Sequence, residues 1–122
     1  MHQSMAASPE AHHRRLERSV EAIEACLGVW FPGSAVEIAQ RSSDEGASTF
    51  RILWGNEMLM LWVADEVLNL DADGATSHLR RFRVWRTLRD EGAGKTVVVT
   101  TRGVSVFPVI SVQRHDATLK RV

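Results

Sequence analysis

Leu16, Val20, Ile23 and Leu27 recur at the three- and four-residue intervals that stack side chains on one face of an α-helix. Arg14, Arg15, Glu17, Arg18, Glu21 and Glu24 fall mainly on the other faces. Ser8 offers a side-chain cap, Pro9 suits a first helical turn, and Glu10 favours the positive end of the helix dipole. Gly28 supplies a stop, so the pattern predicts a helix over about 9–27.

The chain of 122 residues is the size of one domain, and its 44% hydrophobic and 25% charged content is that of a globular protein. A single domain is expected over 9–112, with a flexible N-terminal lead at 1–8 and a tail at 113–122. Fifteen basic and fifteen acidic side chains cancel, which argues against coating nucleic acid or an anionic membrane through a global field; any such contact is local. Met1 to Ala7 lacks the apolar run of a signal peptide, and Ile52 to Leu70 is broken by Gly55, Asn56, Glu57, Asp65 and Glu66, so no membrane association is expected. The lone Cys26 has no disulfide partner and sits where a small core residue belongs, which suits a reducing, cytoplasmic compartment.

After Trp30, Phe31, Pro32 and Gly33, residues 35–40 and 49–54 read as strands separated by a polar loop over 42–47. Gly55 and Asn56 fit a tight hairpin into a third strand over 58–63. The stretch 57–70 is apolar on both faces, so one buried helix is an alternative there. Asp73 is a candidate cap for a second helix over 75–91, closed by Gly92, Ala93 and Gly94. Residues 95–101 and 104–110 then form a hairpin around Arg102 and Gly103, with Pro108 holding the last strand at a sheet edge. The fold class is α+β, or mixed α/β, in the order helix, three strands, helix, two-stranded hairpin.

Arg80, Arg81, Arg83, Arg86 and Arg89 crowd the second helix. Treated as one continuous helix, Thr76, Arg80 and Arg83 share an outer face, while Arg86 borders the apolar arc of Leu79, Phe82, Trp85 and Leu88. Thr76, Arg80, Arg83 and Arg86 are therefore candidate phosphate contacts for nucleic acid, or contacts for an acidic protein, against the plainer reading of a solvated, ion-paired face. Trp30 and Phe31, beside Pro32 and Gly33, are a candidate partner patch. A homo-oligomer through an exposed strand edge is a further expectation.

Other chemistry finds less footing. Asn69, Asp71, Asp73 and Gly74 occupy the first positions of a calcium-loop pattern, but Arg80 stands where its bidentate glutamate belongs, leaving a cap and turn. His2, His12, His13, His78 and His115 show no zinc spacing, and His78 reads as a surface residue. Neither a nucleophile elbow nor a phosphate-binding loop occurs, so no catalytic residue, metal ligand or cofactor is assigned.

The stretch LRDEGAGKTVVVTTRGVSVF from Leu88 to Phe107, with the order of elements, resembles Mrr-type restriction-endonuclease-like domains. Asp44 to Ser48 resembles the loop leading to that family's metal-binding aspartate, and Trp62, Val63 and Ala64 fall where its Q-x-K or E-x-K triplet would lie. Ser48 occupies the aspartate position and the triplet holds neither acid nor lysine, so the resemblance implies lost catalysis. A nuclease with relocated ligands would instead depend on Asp44 or Asp65. Residues 64–82 with the hairpin 97–109 also resemble a winged helix-turn-helix, its recognition helix opening at Thr76, Ser77, His78 and Leu79.

Overall fold

A computed structural model describes residues 9–41 and 46–108. Its elements are α1 (Pro9–Trp30), β1 (Ala35–Gln40), β2 (Ala47–Trp54), β3 (Glu57–Ala64), α2 (Asp65–Leu68), α3 (Asp71–Arg81), α4 (Val84–Glu91), β4 (Lys95–Thr100) and β5 (Gly103–Pro108). The strands form one sheet in the order β1-β2-β3-β4-β5, and the β3–β4 pair alone is parallel. The α+β class and order expected from sequence are those observed. The parallel pair is joined by α2, α3 and α4, as a parallel neighbour requires a crossover.

α1 runs through Gly28 to Trp30 instead of stopping at the glycine. Leu27 and Phe31 are both buried, and Phe31 N–H donates to Leu27 O at 2.9 Å. Burying that extra turn outweighs a glycine penalty of about 1 kcal/mol. The stop comes at Pro32, which has no N–H to donate, and at Gly33 with φ 82°.

The doubly apolar stretch 57–70 divides into a strand and a short helix. Trp54 pairs with Glu57 across the two-residue turn Gly55–Asn56, and β2 and β3 stay in register from there to Ala47 and Ala64. Leu59, Leu61 and Val63 point inward and are buried, as are Val97 and Val99 on β4.

The expected helix over 75–91 is broken in two. Phe82 N–H still reaches His78 O, but Arg83 is left-handed at φ 51°, ψ 46° and starts a new helix. Leu79, Val84 and Leu88 are all fully buried. Five residues of one straight helix would place Leu79 and Val84 about 140° apart, so a single axis cannot aim both at the sheet. Asp71, not Asp73, ties the first turn of α3: its Oδ1 accepts from Gly74 N–H at 2.8 Å. Gly74 is required by close approach, since a Cβ there would lie 2.9 Å from Leu70 Cβ.

The helices of the described residues lie on one side of the sheet. Leu16, Val20, Ile23 and Leu27 of α1, Val67 and Leu68 of α2, Ala75 and Leu79 of α3, and Val84 and Leu88 of α4 pack with the inward strand residues into one core. Pro108 ends the edge strand β5, where a missing N–H is tolerated. Among the described residues no helix is long and apolar enough to cross a membrane.

Candidate functional site: the open sheet face and the α1–β2 cavity

The arginines are divided between α3 and α4, with Arg83 at the corner between them. Arg86 Nε lies 3.8 Å and Arg89 Nε 3.1 Å from the Asp90 carboxylate, and Arg89 also stacks over Trp85 at 4.8 Å. Arg81 lies over Phe82, and Arg80 Nη2 sits 3.6 Å from Cys26 Sγ on α1. Arg80 lies in α3 and Arg83 at the left-handed corner before α4, so the two do not sit on one continuous helix. Thr76 is 6% exposed, and its hydroxyl donates back to Ala72 O and Asp73 O at 3.1 and 3.2 Å, so it presents no donor to a phosphate.

Of the Trp30–Phe31 pair, Phe31 departs from the expected exposure while Trp30 stays partly exposed. Phe31 is 1% exposed and meets Trp54 edge-on at 4.8 Å, while Trp30 is half-buried against the core. The bend made by Pro32 and Gly33 turns Phe31 inward.

His78 is half-buried rather than a free surface group: its Nε2 donates to Thr100 O at 2.8 Å, which assigns the proton to Nε2. Beside it, the Glu66 carboxylate accepts from Thr101 Oγ1 at 2.6 Å and Thr101 N–H at 2.8 Å, clasping the β4–β5 turn to α2. The hydroxyl bond first, and the backbone bond second, hold the Glu66 carboxyl below the usual carboxylate range. Residues 35 apart make this clasp, so no local sequence signal announced it.

Among the described residues no helix lies on the outward side of the sheet. Strand register places Leu53 beside Met58, Met60 beside Thr96, Trp62 beside Val98 and Phe107 beside Thr96. Leu53, Met58 and Phe107 are 38%, 42% and 51% exposed, and Met60, Trp62 and Val98 are half-buried among them. On the β1 flank, Arg51 Nη1 donates to Glu37 Oε1 at 2.9 Å across the strands. The signal was present in the sequence as the both-faced apolarity of 57–64, where helix burial accounts for one face only.

A second feature lies on the helical side, between the first turns of α1 and the start of β2. Ser48 faces inward opposite Val63. It is 0% exposed and its Oγ has no hydrogen-bond partner, a situation that costs roughly 1–3 kcal/mol. Ser48 lines a cavity of about 270 Å³ with His12, His13, Glu17 and Arg41, walled by Leu16 and Val20. Arg41 Nη1 donates to both carboxylate oxygens of Glu17 at 3.0 and 3.1 Å, and His13 Nε2 lies 3.7 Å from the same carboxylate. Asp44 falls outside the described residues, as does Glu45. Among the described residues no group of three or more His, Cys, Asp or Glu side chains is arranged to hold a metal ion.

No family model, curated protein or solved structure matches the chain.

Proposed function

We propose that this chain is a non-catalytic protein-association module, and that the open face of its sheet is the working surface, taking a second copy of the same face. The observation that carries the reading is the continuous apolar strip of Leu53, Met58, Met60, Trp62, Val98 and Phe107 on a side that no helix among the described residues covers. Soluble monomers rarely leave so large an apolar patch bare.

A second copy is favoured over a charged partner because the chain carries zero net charge, so two copies approach without long-range repulsion. Five strands about 4.8 Å apart and about 20 Å long offer a footprint on the order of 500 Å². Two such faces bury about 1,000 Å² in total, the lower bound of a specific interface, so the pairing is reversible on dilution. Aligned sheet-on-sheet packing, with the faces about 10 Å apart, suits the Met and Trp side chains present.

The restriction-endonuclease-like resemblance fits this reading as a fold whose chemistry has gone. Its support is the order helix, three strands, helix, strand alone; Ser48 pairs with Val63, the middle residue of the triplet, so the aspartate position and the two ligand positions face opposite sides of the sheet. A carboxylate pair and a lysine are what magnesium-assisted phosphate cleavage needs, and Ser48, Trp62, Val63 and Ala64 provide neither. The partly buried lone Cys26 suits a reducing, cytoplasmic setting.

Sedimentation velocity over a hundredfold concentration range tests the proposal. A monomer–dimer shift that Met60→Glu abolishes, with the far-UV circular dichroism unchanged, supports it; a wild-type chain that stays monomeric throughout counts against it.

A further inference from the structure

We infer that the outer sheet face is a redox-sensitive switch: a hydroperoxide oxidises Met58 and Met60 to sulfoxides and thereby releases the second copy. The inference rests on the pairing proposed above and adds its regulation. β3 is the middle strand of the five, so its outward residues Met58, Met60 and Trp62 run along the midline of the face, alternating with the inward Leu59, Leu61 and Val63. Two-fold pairing of such a face brings the midlines together, where water is excluded most completely. Both thioethers therefore sit where a change of polarity weighs most on association.

Met58 is 42% exposed and Met60 half-buried, so a single chain presents both side chains to a small oxidant, while pairing covers them. A sulfur lone pair attacks the peroxide O–O bond; the S–O bond forms, two electrons pass from sulfur to peroxide, and the second oxygen leaves with both protons as water. The product carries a polar S=O group in place of an apolar thioether. Water satisfies that group in the single chain. In the pair it loses the water, and Leu53, which stands across the strands from Met58, has no donor to replace it. Met60 stands between Arg51 and Thr96, and the Arg51 guanidinium is drawn to Glu37 on the β1 flank, 2.9 Å away. The thiol of Cys26 lies on α1, on the helical side of the sheet, so its oxidation leaves the outer face untouched.

Sedimentation equilibrium of the full chain before and after treatment with hydrogen peroxide provides the test, with the added oxygen located by peptide mass spectrometry. Oxidation at Met58 and Met60 should weaken association about tenfold or more with the far-UV circular dichroism unchanged, and the two epimer-specific methionine sulfoxide reductases should restore it. Cys26→Ala should respond to peroxide as the wild type does. Met58→Leu combined with Met60→Leu should show the same dissociation constant before and after treatment. The inference is overturned if neither methionine takes up oxygen, if association survives their oxidation, or if the doubly substituted chain responds like the wild type. An untreated chain that never associates overturns the pairing and this inference with it. An untreated chain that associates, beside an oxidised one that associates as tightly, overturns this inference alone.

Discussion

Trp62 and Val98 stand side by side across the parallel β3–β4 ladder, on the face of the sheet that no helix among the described residues covers. Their inward neighbours Leu61 and Val97, one residue earlier, are fully buried under the helices. The two sides of one strand therefore serve different ends: one holds the fold, the other meets a partner.

That division predicts opposite phenotypes for adjacent substitutions. Leu61→Ala leaves a cavity under the helices and should cost about 2–5 kcal/mol in urea unfolding. Trp62→Thr keeps a strand-forming residue on the outer face, should cost less than about 1.5 kcal/mol, and should weaken self-association severalfold in sedimentation. Equal destabilisation by both changes would show that the outer face is also part of the core.

How much of this was legible in the sequence depended on how local the cause was. The α1 stripe, the Gly55–Asn56 turn and the edge position of Pro108 rest on neighbours in sequence, and each is where the pattern indicated. The break at Arg83 follows from the sheet's demand to bury Leu79 and Val84 together, which helical periodicity alone does not encode. The cavity depends on Arg41 meeting Glu17 from 24 residues away, and Phe31 was misplaced because a Pro–Gly bend was read as exposure when it turns the ring inward.

The left-handed residue at the α3–α4 corner is a point of stored strain. A non-glycine residue there costs roughly 1–2 kcal/mol, so Arg83→Gly should raise stability by about 1 kcal/mol in chemical denaturation. Gly74→Ala should do the reverse by about 1–3 kcal/mol, because its Cβ would press on Leu70 Cβ at 2.9 Å. Destabilisation by Arg83→Gly would mean that the arginine makes a compensating contact.

The Glu66–Thr101 clasp carries a pH signature. The folded pKa of Glu66 lies below its unfolded value, so its contribution is complete above the unfolded pKa and fades as the pH falls below roughly 5 and through the folded pKa. Glu66→Gln should lower the melting temperature slightly at pH 7 and flatten its decline on acidification. A wild-type and variant difference that does not shrink between pH 7 and pH 3 would remove the clasp from the account. The carboxylate is exposed, so the effect is small.

Dispersal of the arginines predicts weak, non-specific contact with nucleic acid. Fluorescence anisotropy with duplex and single-stranded probes should show binding only at low salt, reduced without sequence preference by Arg80→Ala combined with Arg83→Ala. Saturable binding at about 150 mM salt that the double variant abolishes would instead make the arginine corner the working surface.

Sedimentation equilibrium of the wild-type chain beside Met60→Glu bears most directly on the central claim. The outer-face account predicts a concentration-dependent monomer–dimer equilibrium for the wild type and a monomer of unchanged secondary structure and melting temperature for the variant. A wild-type monomer at every concentration, or a Met60→Glu chain that still dimerises, would contradict it.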